Sequence, residues 1–433
     1  MSTILFYFKT QCPVGCEYCF GSPSEDIKYD LNKMIDTFKQ IYVRGDAVTL
    51  HGGEVCTLPI KDLRCILEKI RSVMGNDTIG LQTSLFGATK QHIALLKKFN
   101  VSVGVSVDGP PELNTLRGPR DPNANAIYQK RLIKTIDAIR HPDGSFGGIV
   151  VLTKHNATGD NLEKLVSWAK KVKFQGRFNP MFVPNWNPCA DAIRLTPDEL
   201  KLAWIRLTDE LLINHQLKWE PMREFIDNLL GISSFSPCIV GRCDYTSTTC
   251  KTIMGNGEVA RCDRCFQDGY YQRSNTRNYV RSRMLKITEC AGCKYYEVCG
   301  GGCPGEAFDG DFRHKTYFCD AYYSLYEYLE TRLRGIMPNI VLTVDLPEYF
   351  DNYELKGSRN NPFVRMNNGT YKRPHVFKQP ECSQNPKNIN TQRDGIGTEH
   401  GDHYDSIPPS QNRNRPHGDH FDEAFNDYNT GGI

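Results

Sequence analysis

The sequence has almost no excess of charge and no long hydrophobic run. Its 433 residues carry 53 Lys and Arg against 50 Asp and Glu, a net charge of +3, which argues against nucleic acid or a membrane surface as a partner. No apolar stretch reaches the roughly 18 residues of a membrane span, and the short apolar run at residues 4–8 lacks the preceding basic residues of a signal peptide. We therefore expect a cytoplasmic protein of two or three domains, at roughly 150 residues per domain.

Cysteine is the residue that the chain has in excess. There are 17 cysteines, an odd number, and disulfides do not persist in the cytosol. The cysteines are therefore predicted to be metal ligands or reactive thiols rather than crosslinks.

Short β-rich runs alternate with helical periodicity over roughly the first 180 residues, which is typical of βα units around a parallel sheet. Two of the runs, VSVGVSV and GGIVVLT, have the continuous apolar character of strands buried on both faces. The predicted fold is α/β, a partial (β/α)6 TIM-like barrel, with functional residues at the carboxyl ends of the strands. The six predicted strands are Thr3–Phe8, Ala47–His51, Thr78–Thr83, Val101–Val107, Gly148–Thr153 and Arg177–Val183.

The composition changes along the rest of the chain and suggests the domain boundaries. The barrel is assigned to residues 1–190 and a helical linker to 191–235, with helices predicted at Thr196–Asn214 and Trp219–Leu230. Residues 236–335 hold ten of the cysteines and little helical periodicity, so a metal rather than an apolar core is expected to organise them. Residues 336–433 are polar and poor in aliphatic side chains, which predicts a disordered tail.

Three cysteines, Cys12, Cys16 and Cys19, follow the first predicted strand within eight residues. Three thiolates leave one iron of a 4Fe-4S cluster open to an exogenous chelator, and a zinc site is the alternative. The CxxxCx(aromatic)C spacing resembles the motif of the radical S-adenosylmethionine (SAM) superfamily. The resemblance implies that these cysteines hold the SAM-binding cluster and that Tyr18, the aromatic of the motif, lies among the cofactor-binding residues.

The next predicted loops extend this resemblance. Gly52, Gly53 and Glu54 match the family's GGE element, which implies contact with the amino group of the methionine moiety; the glycines permit a close backbone approach. Ser106 and Arg117 match residues that reach the ribose and carboxylate of SAM in SPASM-type members, and the fork of an arginine suits a carboxylate. The alternative for both is a polar side chain on a solvated loop.

The later cysteines resemble a SPASM domain, which carries two auxiliary clusters. The resemblance implies that the cluster nearer solvent is held by Cys290, Cys293, Cys299 and Cys319. It implies that the inner cluster is held by Cys243, Cys262 and Cys303 with Cys238 as the fourth ligand, for which Cys250 and Cys265 are rivals. A zinc ribbon is the alternative, because Cys262 with Cys265 and Cys290 with Cys293 have acceptable zinc spacing.

The resemblance implies a peptide- or protein-modifying oxidoreductase with three 4Fe-4S clusters. It would cleave SAM reductively to a 5'-deoxyadenosyl radical and form a crosslink or oxidise a side chain to formylglycine, while the auxiliary clusters carry electrons. A reducing partner such as a flavodoxin or ferredoxin is expected. Two near repeats in the tail, at residues 399–405 and 416–422, make the tail itself a candidate substrate or docking decoy; the alternative is a solvated, weakly metal-binding extension. An iron-sulfur electron carrier and a zinc-organised binding module are the alternatives, and no residue is identified as catalytic acid or base.

Overall fold

Six strands lie side by side and parallel, in the order of the sequence. The computed structural model has these strands at β1 (Thr3–Tyr7), β2 (Ala47–His51), β3 (Ile79–Thr83), β4 (Val101–Ser106), β5 (Phe146–Leu152) and β6 (Phe174–Pro180). The predicted α/β fold with βα units around a parallel sheet is therefore confirmed. The last two predicted strands start two and three residues too late, respectively.

The structure describes residues 3–8, 12–21, 29–183, 187–232, 250–260, 278–309, 311 and 313–346. All of them belong to the first of two units, Met1–Lys378. The predicted tail beyond residue 346 lies outside the described residues.

Three further strands extend the sheet beyond the six that the sequence predicted. β7 (Trp219–Glu220) pairs with β6, β8 (Cys250–Met254) pairs in parallel with β1, and β9 (Val259–Ala260) pairs antiparallel with β8. The prediction of a helix from Trp219 was therefore wrong at its start. Pro221 follows β7 directly, and a residue before proline avoids the α conformation, so the helix begins at Met222.

Helices α1 (Leu31–Ile41), α2 (Ile60–Met74), α3 (Lys90–Lys98), α4 (Pro122–Ile139) and α5 (Gly159–Lys171) connect successive strands. The later helices are α6 (Pro197–Ile213), α7 (Met222–Leu229), α8 (Asn278–Ile287), α9 (Tyr296–Cys299) and α10 (Cys319–Ile336). α6 begins as its sequence predicts: Thr196 caps it by accepting from the Glu199 amide, and Pro197 takes the first position. Within the described residues no helix is long and apolar enough to cross a membrane.

α6 and α7, the helices predicted as a linker, share an aromatic core with α10 of the Cys-rich region. The rings of Trp204, Phe225 and Tyr322 are mutually 5.3–5.4 Å apart between centroids, and all three residues are fully buried. An apolar core therefore contributes to this region alongside any metal.

On β4, the inner face of the sheet carries small and polar side chains. Ser102 is exposed, and Gly104 lies directly beside Gly147 on the neighbouring strand. The expectation that β4 is buried on both faces was therefore wrong: Val105 faces the apolar core, while the other face is partly open. The inner face of β4 therefore lacks the bulky branched residues that fill an ordinary TIM barrel.

Candidate active site

The loop after β1 places Cys12, Cys16 and Cys19 together, each half-buried. The Cys19 amide donates to the Cys16 carbonyl at 3.2 Å, and the Gly21 amide donates to Cys19 Sγ at 3.3 Å. Burial raises the pKa of all three thiols, to about 12 for Cys16. Thiols in such surroundings are neutral until a bound metal deprotonates them. A donor set of three shielded sulfurs on one short loop fits a metal cluster.

Two glycines follow β2 in the left-handed region, Gly52 with φ +81° and Gly53 with φ +58°. A Cβ at Gly52 would lie 2.4 Å from the ring of Tyr7, the last residue of β1. Real Cβ atoms do not approach an aromatic carbon this closely, so glycine is required at this position. The backbone at the carboxyl end of β2 is therefore held directly beside the start of the cluster loop.

Replacing Gly52 with Ala is expected to lower the free energy of unfolding by roughly 2 to 4 kcal/mol, because both backbone strain and the clash with Tyr7 oppose it. Gly75→Ala is the matched control. Gly75 also has a positive φ of +66°, but nothing lies within 4 Å of its added Cβ. Urea denaturation should show a clearly larger loss for Gly52→Ala, and equal losses in the two variants would contradict the packing argument.

Glu54 is 3% exposed, and its carboxylate accepts four hydrogen bonds from within the chain. The Cys56 amide donates to Oε1 at 3.0 Å and the Ser84 amide to Oε2 at 2.8 Å, while the hydroxyls of Thr83 and Ser84 supply the other two. Burial raises the pKa of Glu54, although these hydrogen bonds oppose the shift. The side chain thus ties the loop after β2 to the end of β3.

Ser106, the last residue of β4, is half-buried on the inner face of the sheet. Its Oγ accepts a hydrogen bond from Gln82 Nε2 at 2.7 Å. Gln82 lies over Gly104, whose added Cβ would be 2.6 Å from Gln82 Oε1. Sequence reasoning missed Gln82, although a polar residue inside an otherwise apolar strand was an available signal.

Arg117 is in a buried ion pair, so the solvated-loop alternative was wrong for this residue. It is 7% exposed, and its Nε and Nη2 donate to Asp108 Oδ2 and Oδ1 at 3.2 and 3.0 Å. Although burial opposes it, the Asp108 carboxylate raises the pKa of Arg117 well above its ordinary value. The hydroxyl of Tyr18 donates to the same carboxylate, so Asp108 is a further member of the site that the sequence did not reveal.

A second group of charged side chains, those of Arg177, Glu220 and Glu224, lies near the level of Ser106 along the strands. The strand register places Ser106 beside Ile149, Ile149 beside Arg177, and Arg177 beside Glu220. Two guanidinium nitrogens of Arg177 donate to Glu224 of α7 at 2.7 and 2.9 Å. Glu220 Oε2 accepts from the Glu224 amide at 3.0 Å, and its Oε1 has no partner within the described part of the chain.

Burial, together with the neighbouring Glu224 charge, raises the pKa of Glu220 to about 7. Because this pKa is higher in the folded chain than in the unfolded one, stability contributed by Glu220 is present at low pH and is lost as pH rises to about 7. We expect the free energy of unfolding of Glu220→Gln, relative to that of the original chain, to be higher by roughly 1 to 3 kcal/mol at pH 8 than at pH 5. Urea denaturation at the two pH values measures this difference. A difference that does not change with pH would contradict the shifted pKa.

In the Cys-rich region the four predicted ligands of the outer cluster, Cys290, Cys293, Cys299 and Cys319, line one cavity. The rest of its wall includes four tyrosines, Tyr295, Tyr296, Tyr323 and Tyr326. Cys303, predicted for the inner cluster, is buried but is not part of this wall. Within the described ranges, no three His, Cys, Asp or Glu side chains converge on a position for a single metal ion.

The other predicted ligands of the inner cluster, Cys238, Cys243 and Cys262, lie outside the described residues, as does the rival Cys265. The rival Cys250 is described: it begins β8, where it pairs with Thr3. Cys250 therefore lies at the amino ends of the strands. The loop with Cys12, Cys16 and Cys19 follows the opposite, carboxyl end of β1.

A family model described as the radical SAM superfamily matches residues 6–169. The chain contains a radical SAM domain. An uncharacterized protein of Archaeoglobus fulgidus is 26% identical over 358 residues, which are 76% of this chain and 81% of that protein. The radical SAM fold implies SAM and a 4Fe-4S cluster, and the chain is a radical SAM enzyme.

Two solved structures share the fold of this radical SAM enzyme. Native anSMEcpe with bound AdoMet and Kp18Cys peptide is 20% identical with a TM-score of 0.61, over 78% of this chain and 99% of that chain. SuiB of Streptococcus suis bound to its precursor peptide SuiA is 16% identical with a TM-score of 0.50, over 74% of this chain and 75% of that chain. At these identities the likeness concerns the fold.

Proposed function

We propose that this radical SAM enzyme oxidatively modifies a side chain of a peptide or protein, with two auxiliary 4Fe-4S clusters that carry electrons. The observation that carries the proposal is the cavity lined by Cys290, Cys293, Cys299 and Cys319, because four cysteines supply the complete protein ligand set of a 4Fe-4S cluster. The peptides bound to anSMEcpe and SuiB support a peptide as the substrate class.

Cys12, Cys16 and Cys19 would hold the first cluster, and their number leaves one iron for SAM. When bound, SAM and this cluster supply a 5'-deoxyadenosyl radical that takes a hydrogen atom from the substrate. The loop itself contributes shielding, since its sulfurs are half-buried. Such exclusion of water protects a reactive species from side reactions.

The chain's own groups would orient SAM at the carboxyl ends of β2 and β4. The open backbone of Gly52 and Gly53 would approach the amino group, and Glu54 would fix that backbone by its hydrogen bonds to Thr83 and Ser84. Arg117 would bind the carboxylate of SAM, and Ser106 would contact the ribose. The site thus uses residues from loops that a parallel sheet brings to one edge.

The substrate would approach the inner face of the sheet beside Gly147, where the nearest atom to an added Cβ is 3.6 Å away. Oxidation of a side chain releases a proton in addition to the hydrogen atom, and that proton needs an acceptor. Glu220 lies on the same face of the sheet as Ser106, by the strand register, and its Oε1 has no described partner. We assign it the role of proton acceptor, which its pKa of about 7 suits.

Cys290, Cys293, Cys299 and Cys319 would hold the outer auxiliary cluster, and the tyrosines of the same cavity wall would shield it from water. Cys303 would join Cys238, Cys243 and Cys262 at the inner cluster. Full ligation by cysteine favours electron transfer over direct substrate binding. Bound there, the clusters would supply an electron acceptor for the oxidation of the substrate, and a flavodoxin or ferredoxin would supply the reducing electron for the cleavage of SAM.

The test uses the full chain, reconstituted anaerobically with iron and sulfide. We expect on the order of twelve irons per chain and production of 5'-deoxyadenosine from SAM and dithionite. Iron near four with stoichiometric zinc would contradict the auxiliary clusters, and an absence of 5'-deoxyadenosine would contradict the proposed activity.

Substrate class is tested in the same reaction by mass spectrometry. The probes are the Kp18Cys peptide and the chain's own tail, which is released by digestion after the reaction. Loss of a mass equal to two hydrogen atoms from either probe, or the mass change that converts a cysteine side chain to an aldehyde with release of its sulfur and uptake of oxygen from water, supports the oxidation. 5'-Deoxyadenosine with both probes unmodified would exclude them as substrates.

A further inference from the structure

Asp108 collects hydrogen bonds from three separate segments of the radical SAM domain. Its carboxylate, 2% exposed, accepts from Arg117 Nε and Nη2, from the Val151 amide of β5 at 2.8 Å, and from the hydroxyl of Tyr18 in the cluster loop. A buried carboxylate with four donors has a fixed orientation, since each lost bond would leave a buried donor unsatisfied. Because the Asp108 carboxylate is fixed, its two hydrogen bonds with Arg117 also fix the orientation of the guanidinium.

Tyr18 places the cluster loop directly against this pair. It lies between Cys16 and Cys19, is 6% exposed, and has its ring centroid 5.4 Å from the guanidinium carbon of Arg117. The neighbouring Glu17 amide donates to the Leu116 carbonyl at 3.0 Å. The loop that carries the predicted cluster ligands and the loop that carries Arg117 are thus joined by both backbone and side-chain contacts.

The backbone of Arg117 is held from the opposite side. Asn114 Oδ1 accepts from the Asp108 amide at 2.7 Å, and Asn114 Nδ2 donates to Gln129 Oε1 at 2.8 Å. Gln129 in turn donates to the Arg117 carbonyl at 3.2 Å. Main chain and guanidinium are therefore both oriented before any ligand arrives, which lowers the entropy that binding must overcome.

The pairing with Asp108 leaves part of the arginine free for a ligand. A guanidinium has five N–H groups, and Asp108 takes one from Nε and one from Nη2. Nη1 has no partner among the residues that the structure describes. Both of its N–H groups and the second one of Nη2 therefore have no acceptor among the described residues.

We propose that Asp108, oriented by the hydroxyl of Tyr18, is a positioning residue that presents Arg117 to the carboxylate of SAM. Through Tyr18 it links the orientation of the arginine to the loop that holds the cluster. The inference rests on the proposed contact between Arg117 and SAM, and the experiment separates the two.

The experiment measures SAM affinity of the anaerobically reconstituted chain from the change in the electron paramagnetic resonance spectrum of its reduced cluster. Arg117→Ala should weaken binding by about 10- to 100-fold. Asp108→Asn should weaken it by about tenfold and Tyr18→Phe by a few-fold, with iron content unchanged. Tyr29→Phe is the matched control, because Tyr29 also donates its hydroxyl to an aspartate, Asp62 at 2.6 Å, and should bind SAM normally.

The double variants decide between positioning and a merely structural role. In the Arg117→Ala background, neither Asp108→Asn nor Tyr18→Phe should weaken SAM binding by more than about twofold, because residues that act through one another are not additive. Full additive losses in that background, or no loss in the single variants, would overturn the proposal. If Asp108→Asn fails to fold, the Tyr18→Phe pair gives the same decision.

Failure of the underlying function has a different outcome. An unaltered affinity in Arg117→Ala, with normal binding by the original chain, would refute the contact between Arg117 and SAM. A reconstituted chain that holds no cluster or binds no SAM would refute the proposed function itself.

Discussion

Replacement of Cys12, Cys16 and Cys19 together by Ala is expected to abolish production of 5'-deoxyadenosine. The three sulfurs are the ligands that the loop after β1 offers, and no other described cysteine lies on that loop. Without a cluster there is no iron to which SAM can bind and no electron to cleave it. Iron content should fall by about four per chain, and the absorption of the remaining clusters should persist.

The control is Cys65→Ala. Cys65 is half-buried on α2 and belongs to none of the three predicted clusters, so iron content and 5'-deoxyadenosine production should stay at their original values. Activity that survived in the triple variant would show that the SAM-binding cluster is held elsewhere.

Replacement of Glu54 by Ala is expected to lower the free energy of unfolding by roughly 3 to 5 kcal/mol. The change leaves two buried amides and two buried hydroxyls without their acceptor, those of Cys56, Thr83 and Ser84. The loops after β2 and β3 would lose their connection, so SAM binding should weaken as well. Urea denaturation measures the first effect, and titration of the reduced cluster with SAM measures the second.

Glu68→Ala is the control for this prediction, because Glu68 is exposed on α2 and its loss should change stability by less than about 0.5 kcal/mol. If Glu54→Ala weakened SAM binding but left stability unchanged, Glu54 would act as a direct SAM ligand instead of a connection between loops.

Local patterns predicted the fold and several candidate ligands. The alternation of apolar strands with amphipathic helices predicted the parallel sheet. Each element must bury one face, and the spacing of its apolar residues along the chain shows whether it is a helix or a strand. The cap of α6 at Thr196 and Pro197 followed for the same reason. The resemblance to a SPASM domain implied that Cys290, Cys293, Cys299 and Cys319 belong together, and these four residues line one cavity.

Other elements depended on contacts that the sequence does not display. β7 and β8 are short or irregular in pattern, and they became strands because β6 and β1 offered unpaired edges. The apolar stripes of α6, α7 and α10 did not reveal that they pack together, since Trp204, Phe225 and Tyr322 are far apart in the chain.

The sequence by itself determined which residue types stand at the carboxyl ends of the strands: three cysteines, a pair of glycines, a glutamate, a serine and an arginine. Only the tertiary structure decided their partners. Glu54 and Arg117 both bind other parts of the protein. Glu54 accepts hydrogen bonds from the end of β3, and Arg117 donates to Asp108. The physical reason is that ligand spacing and periodicity are properties of neighbouring residues, whereas the partner of a buried charge comes from whichever strand or loop the sheet places beside it.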